Sequence, residues 1–124
     1  NLSSTAGLYG YPMRSPYASA KWAIVGLSKT MAMELGPFNV RVNCICPGSV
    51  NGARMDRVIS SIAKATGESV EKVRQDNVQN TSMTTFVDAE DIANMIVFSF
   101  SDLGAKISGQ SLTVDGDTHS LATY

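Results

Sequence analysis

The segment from Pro16 to Leu35 is predicted to form a long helix that is apolar around nearly its whole circumference. Ser15 is expected to be the N-cap residue, Pro16 the first helical residue and Gly36 the C-cap. The charged side chains inside this helix are Lys21, Lys29 and Glu34. A helix of this kind must be covered on more than one side. We expect one side to pack on a sheet, and the other on a neighbouring helix and a second subunit.

The rest of the chain alternates short β-branched strands with helices. Strands are predicted as a stub over residues 1–4, at Val40–Cys46 and at Gln110–Val114. Helices are predicted at Arg54–Ala65, from a Ser69 cap to Gln79, and from an Asp88 cap to Phe100, before a tail over residues 117–124. This alternation argues for a parallel α/β sheet. Three strands are too few for a complete sheet with helices on both faces, so we expect the remaining strands to precede Asn1.

Composition excludes several classes of function. The 124 residues make one domain or part of one, and a net charge of -1 with 17% charged residues provides no basic surface for nucleic acid. No segment is long and apolar enough to span a bilayer, and the chain does not start with a signal-peptide pattern. We therefore expect a cytoplasmic protein with neither nucleic-acid nor membrane partners.

The residue types that commonly bind metals are few. Cys44 and Cys46 lie two apart in a predicted strand, so their side chains share one face. We expect both to be buried packing residues rather than a disulfide. The C-x-C spacing has no accompanying ligands, and His119, the only histidine, falls in the predicted solvated tail. No metal site is predicted.

Three polar residues near the start of the chain suggest proton transfer at an alcohol carbon. Tyr17 and Lys21 are four apart on the predicted helix and therefore lie on one face, one above the other. An ammonium group beside a phenol favours the phenolate and lowers the pKa of the phenol from its ordinary value of about 10. Such a phenol can act as general acid to a ketone or general base to an alcohol. A hydroxyl from a neighbouring strand end, such as that of Ser4, can hold the reacting oxygen.

The order and spacing of four motifs carry a family resemblance. They are Asn1–Gly7, Tyr17–Lys21, Val40–Val50 and Ile107–Gly116. In this arrangement the whole chain resembles the carboxy-terminal half of the classical short-chain dehydrogenase/reductase family. The resemblance implies an α/β fold, a Rossmann-like doubly wound parallel sheet, of which residues 1–124 supply the C-terminal catalytic half. The N-terminal dinucleotide-binding half, with its glycine-rich phosphate loop, is then expected to lie upstream of Asn1.

The resemblance also assigns roles to individual residues. Tyr17 matches the family's catalytic acid/base, Lys21 the lysine that lowers its pKa and binds the nicotinamide ribose, and Ser4 the serine that orients the substrate. Ser3 would point to the other side of an extended strand and is expected to be structural. The residues expected to pass the nicotinamide of NAD or NADP are Pro47, Gly48, Ser49 and Val50. Many family members have a threonine where this chain has Gly52, which leaves the hydrogen bonding of that loop open.

Residues 51–80 occupy the position of the family's substrate lid and are called the lid segment below. Its basic side chains are those of Arg54, Arg57, Lys64 and Arg74. They could bind a carboxylate or phosphate of the substrate. Charges at helical spacing more often form a solvated face, and this is the interpretation that we favour. The resemblance implies hydride transfer between NAD(P) and a small secondary alcohol or ketone, in a homo-oligomer. Two alternatives stay open: a non-catalytic binding or assembly scaffold of the same fold, and an inactive truncated fragment.

Overall fold

The computed structural model describes residues 1–122 and has the predicted alternation of helices and strands. The elements are α1 (Ser15–Leu35), β1 (Cys44–Pro47), α2 (Ala53–Thr66), α3 (Val70–Asp76), α4 (Ala89–Phe100) and β2 (Ser111–Val114). Single 3-10 turns lie at Thr5–Gly7, Gly36–Phe38 and Asp102–Gly104. The predicted tail over residues 117–124 extends past this part of the chain, and positions 123 and 124 lie outside the described residues.

The strands form a parallel sheet, as predicted. Strand β1 pairs with β2 in a register that places Ile45 opposite Leu112. The predicted stub at residues 1–4 adds to the other side of β1 through a parallel bridge between Leu2 and Ile45. There the Ser3 amide donates to the Ile45 carbonyl at 2.8 Å, and the Ile45 amide donates to the Asn1 carbonyl at 3.0 Å. The carboxyl ends of all three extended segments therefore lie at one edge of the sheet.

Helices cover both faces of this sheet. Cys44 and Cys46 are fully buried against Val25 of α1, which confirms that they are packing residues with free thiols. Because side chains alternate along a strand, Ile45 points to the opposite face. That face carries α4, whose Ile96 lines a common cavity with Ile45. The arrangement of α1 and α4 on opposite faces is that of a doubly wound α/β fold.

The ends of α1 differ in detail from the predicted caps. Ser15 is the first helical residue rather than the N-cap, and Arg14, which precedes it, makes no capping hydrogen bond through its side chain. The helix ends at Leu35 as predicted, but Gly36 keeps a right-handed helical backbone with φ of -54°. The chain then passes through a 3-10 turn, and the left-handed residue that ends it is Asn39, with φ of 59°.

The strand predicted at Val40–Cys46 is shorter and begins at Cys44. Side chains rather than a main-chain ladder hold the residues before it. The Asn43 Oδ1 accepts a hydrogen bond from the Gln110 main-chain amide at 3.1 Å. A side-chain oxygen thus replaces the main-chain carbonyl to which this amide would donate in a longer sheet. The Arg41 guanidinium donates to the carbonyls of Ser99 and Gly104 at 2.7 and 3.0 Å, and so ties this segment to the end of α4.

The lid segment forms two helices around a small core of its own. Ile59 and Ala63 of α2 pack against Val73 of α3, and all three are buried. The Ser69 hydroxyl accepts the Lys72 amide at 3.1 Å, which confirms the predicted cap. Helix α3 stops at Asp76 rather than Gln79, since the Asn77 side chain donates back to the Val73 carbonyl at 2.9 Å.

Residues 80–83 pair with residues 116–119, so the prediction of a free tail is wrong in this region, whereas His119 is exposed as predicted. Thr81 and Thr118 form an antiparallel bridge, and the His119 amide donates to the Asn80 carbonyl at 2.8 Å. The His119 ring is exposed, but its Nε2 lies 2.9 Å from the Ser82 hydroxyl. The same hydroxyl donates to the Asp117 carboxylate. This pairing fastens the end of the lid segment to the chain that follows β2.

Several large apolar side chains remain on the surface. On α1, Trp22 is 50% exposed, Leu27 56% and Met33 81%, and at the end of α4 Phe100 is 82% exposed. In the part of the chain that the structure describes, none of the helices has the length and apolar character needed to cross a membrane.

Candidate active site

The predicted site residues lie at the carboxyl edge of the sheet, where three loops follow the three parallel segments. The loop after the stub carries Ser4, and the loop after β1 carries Gly48 and Ser49. The loop after β2 begins at Asp115, which is buried and accepts the Thr118 amide at 3.0 Å. In open parallel sheets, ligands bind in the crevice outside this edge.

Lys21 lies between Tyr17 and the segment that carries Ser4. Its Nζ is 5.6 Å from the centre of the Tyr17 ring and donates to the Leu2 carbonyl at 3.4 Å. Tyr17 is 37% exposed. The ammonium and the phenol ring therefore share one helix face, as the i,i+4 spacing predicts.

Ser3 and Ser4 take different roles. Ser3 is buried, and its hydroxyl donates to the main-chain carbonyl of Lys21 at 2.8 Å, so its predicted structural role is confirmed. Ser4 is half-buried, and its hydroxyl accepts the Ala6 amide at 3.2 Å while keeping its own proton available. Within residues 1–122 no hydrogen bond joins Ser4 to Tyr17.

Gly7 explains how closely helix α1 approaches this segment. A Cβ atom at this position would lie 2.5 Å from the Ser3 hydroxyl and 2.7 Å from the Lys21 carbonyl oxygen. Any side chain there would therefore separate the turn at Thr5–Gly7 from α1. The spacing of Ser4 to Tyr17 and Lys21 depends on this contact between two main chains.

The loop after β1 is fixed by its own neighbours. The Gly48 amide donates to the Val114 carbonyl at 3.0 Å, and a Cβ on Gly48 would lie 2.8 Å from Cβ of Asp115. Val50 forms a parallel bridge with Val87, whose amide donates to the Ser49 carbonyl at 3.0 Å. Gly48 is thus required by the sheet itself, and Val87, which sequence reasoning missed, supports the loop from the stretch between the lid segment and α4.

Arg74 is not a free cation, although its side chain is 41% exposed. Its guanidinium donates to the Asp56 carboxylate at 3.0 Å and to the Asn51 side-chain oxygen at 2.7 Å. The same group lies 4.6 Å from the centre of the Phe86 ring. The other three basic residues agree with the favoured interpretation, because Arg54, Arg57 and Lys64 are all exposed.

A cavity of about 310 Å³ opens between the carboxyl edge and the lid segment. Thr5, next to Ser4, and Ser49 contribute to its floor, and Ile62 and Val73 of the lid helices contribute to its cover. The polar residues of its wall include Glu68, Asp76, Asn77, Asn80, Thr118 and Ser120. The sequence predicted a lid here but gave no signal for which of its side chains face the cavity.

The buried thiols close to this edge are not suited to act as nucleophiles or metal ligands. Burial, and then the neighbouring Cys44, raise the pKa of the Cys46 thiol to about 12, so it stays protonated near neutral pH. Within residues 1–122 there is no group of three or more His, Cys, Asp or Glu side chains that could hold a metal ion. The predicted catalytic groups stay the hydroxyls of Ser4 and Tyr17 and the Lys21 ammonium.

The parallel sheet with helices on both faces and its polar carboxyl edge define an α/β protein of the Rossmann-like class. A family model described as Enoyl-(Acyl carrier protein) reductase matches residues 1–119. A trans-4-hydroxycyclohexanecarboxylate dehydrogenase of Sinomonas cyclohexanicum is 34% identical over 116 residues, which are 94% of this chain and 39% of that protein. The chain belongs to the short-chain dehydrogenase/reductase family, as its motifs predict.

Two solved structures show the same fold. A xylitol dehydrogenase with bound NAD+ is 30% identical with a TM-score of 0.84, and the match covers 94% of this chain and 46% of that one. An actinorhodin polyketide ketoreductase variant with NADPH is 26% identical with a TM-score of 0.85, covering 94% and 44%. The chain spans less than half the length of these relatives.

Proposed function

We propose that the full-length protein transfers hydride between NAD or NADP and a secondary alcohol or ketone. Residues 1–124 would supply the catalytic half of a single domain. The observation that supports this most is the placement of Lys21, which lies against the Tyr17 ring and is tied to the segment that carries Ser4. Relatives with NAD+ and NADPH in their structures share the fold over 94% of the chain.

The residues present are suited to a nicotinamide nucleotide. The Lys21 ammonium has one long hydrogen bond, to Leu2, and keeps donors for the hydroxyls of a ribose. We assign the nicotinamide end to the loop Pro47–Val50, whose main chain is held at the carboxyl edge by Val114 and Val87. The nucleotide supplies or accepts the hydride, and the protein supplies orientation and the proton.

In the proposed mechanism, Tyr17 moves the proton. In the reduction direction its hydroxyl gives a proton to the carbonyl oxygen of the substrate, and the Lys21 ammonium stabilises the phenolate that remains. The Ser4 hydroxyl, which already accepts one hydrogen bond, would keep its proton and donate a hydrogen bond to the same substrate oxygen, which holds that oxygen in position. In the oxidation direction the proton returns to Tyr17.

The direct test is the Tyr17→Phe variant of the full-length protein. Turnover should fall by about three orders of magnitude or more while nucleotide binding is nearly unchanged, because only the proton donor is lost. Lys21→Ala should lower both turnover and nucleotide affinity. Tyr9→Phe and Lys29→Ala are matched controls outside the assigned site and should keep wild-type rates. More than about a tenth of the wild-type rate in Tyr17→Phe would exclude the role given to Tyr17.

Two alternatives remain to be separated by the same measurements. A scaffold of the same fold would bind partners with no turnover of any alcohol, and Tyr17→Phe would change nothing. A truncated remnant would bind nucleotide weakly even before mutation. We also propose a homo-oligomer, because the apolar surface of α1 needs a cover. The cytoplasmic location stays a prediction.

A further inference from the structure

The cavity under the lid segment is lined by negative charge, although the sequence of the lid segment suggests positive charge. The lid segment contributes basic residues, yet the charged side chains that line the cavity are the carboxylates of Glu68 and Asp76. Lys72 lies between them, with Nζ 3.4 Å from Glu68 and 2.7 Å from Asp76. The Asp76 carboxylate, and then Glu68, raise the pKa of Lys72, so it stays protonated. Two carboxylates and one ammonium leave this group one net negative charge.

The charge of Lys72 is already counted, and no basic side chain of the lid segment is among the residues that line the cavity. Arg74 is occupied by Asp56, Asn51 and the Phe86 ring. The remaining basic side chains, Arg54, Arg57 and Lys64, are exposed and are not among the residues that line the cavity. A carboxylate or phosphate entering the cavity would therefore meet like charge without a partner, which costs binding free energy.

The floor of the cavity offers hydrogen bonds to uncharged groups. Thr5 is 3% exposed and lines the cavity. Ser49 and Asn80 also line the cavity with polar side chains. Hydroxyl and amide groups suit the hydroxyls of a substrate, since each can both donate and accept.

We propose that this cavity binds an uncharged, hydroxyl-bearing substrate such as a polyol, and that Glu68 and Asp76 reject carboxylate and phosphate analogues. The proposal rests on the proposed function for its reaction and adds the substrate class. Thr5 directly follows Ser4 in the chain, and Ser49 belongs to the assigned nicotinamide loop, so two polar residues of the cavity are sequence neighbours of the assigned site.

The test compares matched neutral and anionic compounds with the full-length protein. Xylitol is paired with its monophosphate ester, and 2-butanol with 3-hydroxybutyrate, and kcat/KM is measured with both nucleotides. We expect the neutral member of each pair to be preferred by about tenfold or more, which corresponds to about 1.4 kcal/mol. A preference for either anionic member in the wild-type protein would overturn the proposal.

Variants that change the charge of the lid segment should shift the preference between neutral and anionic compounds in opposite directions. Glu68→Gln with Asp76→Asn leaves Lys72 unpaired and should shift the preference towards the anions by about tenfold. Lys72→Gln should shift it further towards the neutral compounds. Glu71→Gln removes an exposed carboxylate of the same helix that does not line the cavity and should change nothing. Equal effects of Glu71→Gln and Glu68→Gln would show general surface electrostatics instead and would also overturn the proposal.

Binding measurements separate this inference from the proposed function. Ligand-observed NMR follows xylitol and its phosphate with the full-length protein and oxidised nucleotide, and needs no turnover. If no compound is turned over but xylitol binds more tightly than its phosphate, the proposed reaction fails while the cavity assignment holds. If neither binds, or the phosphate binds more tightly, the cavity assignment fails whatever the reaction is.

Discussion

Lys21 contacts the Ser4 segment through both its main chain and its side chain. Its carbonyl accepts the Ser3 hydroxyl, and its ammonium reaches the Leu2 carbonyl. These contacts do not involve the Tyr17 hydroxyl, and Tyr17 lies on the same helix face with 37% of its surface exposed. Removal of that hydroxyl therefore leaves Lys21 supported, and this is why Tyr17→Phe tests proton transfer without disturbing the fold.

Cys46 should make the stability of the fold depend on alkaline pH. Its thiol pKa is raised from 9.0 to about 12, chiefly by burial. Below pH 9 both the folded and the unfolded chains keep this proton, so the thiol makes no difference. Above pH 9 the unfolded chain loses the proton and the folded chain does not. The free energy of unfolding should therefore fall by about 1 kcal/mol by pH 10 from this group alone.

Urea unfolding of the full-length protein at pH 8 and pH 10 measures this effect. Cys46→Ala is the matched variant, because every other titrating group is retained and the pH dependence due to Cys46 disappears. It should be less stable than wild type at pH 8, owing to the lost packing, but should lose less stability on going to pH 10. An identical pH dependence in both proteins would mean that the thiol titrates normally in the folded state.

Some site residues could be predicted from the sequence, and others depend on the tertiary fold. Tyr17 and Lys21 follow from helical spacing, because the first turns of a helix fix which side chains are neighbours. Thr5 and Glu68 could not be assigned to one cavity, since 63 positions separate them in the numbering and only the lid fold joins them. Arg74 shows the same limit, because its partners lie on three different segments.

Among the elements, the lid helices are joined to the sheet by a small number of polar contacts. One guanidinium nitrogen of Arg74, in α3, donates to the carboxylate of Asp56 in α2. The second donates to the side-chain oxygen of Asn51, which directly follows the assigned nicotinamide loop. Asn51 in turn donates to the Asp88 carboxylate at 2.8 Å, at the start of α4. Arg74 thus links the lid segment to the loop after β1, so replacement of this arginine should affect both segments.

Arg74→Gln should loosen the lid segment. The change removes an ion pair, the fixed guanidinium geometry and the contact with the Phe86 ring, which together are worth about 1–2 kcal/mol at a partly exposed site. Amide hydrogen exchange in α3 (Val70–Asp76) should accelerate by about tenfold. If the proposed function holds, KM should rise more than kcat falls, because substrate enclosure is weakened.

The conservative variant and a neighbouring arginine complete this test. Arg74→Lys keeps the charge but loses the two-pronged donor geometry, and should show an intermediate exchange rate. Arg57→Gln, on the exposed surface of α2, should leave exchange in α3 at the wild-type rate. Equal acceleration in Arg57→Gln would attribute the effect to net charge rather than to the contacts of Arg74.

Local signals predicted the elements best where a side chain itself ends or starts a helix. The Asp91 carboxylate accepts the Asp88 amide at 2.8 Å at the start of α4, and Ser69 caps α3, as the sequence indicates. The signals failed where tertiary contacts replace the local preference. β-branched residues predicted a strand from Val40, yet Arg41 and Asn43 bind distant carbonyls and amides instead. His119 was predicted in a free tail because its pairing with residues 80–83 has no local signature.

At the scale of the whole molecule, the described chain has more apolar surface than its own sheet can cover. On α1 the side chains that reach the core with less than a tenth exposed are Val25 and Ser28. Leu27 and Met33 on other sides of this helix are 56% and 81% exposed. Because the chain spans less than half the length of its relatives, part of this surface can be covered by other parts of the full-length protein.

We expect a second copy of the full-length protein to cover the rest, because one helix or sheet face covers a stripe of only about 100°. Size-exclusion chromatography with light scattering at micromolar concentration should give the mass of a dimer or tetramer, since closed two-fold symmetry satisfies the same surface on both copies. Leu27→Lys and Met33→Lys should each shift the protein towards monomer, by placing an unpaired charge in the interface. Glu34→Gln, on the same helix, should leave the mass unchanged. A wild-type monomer at this concentration would mean that the protein's own chain covers all sides of α1.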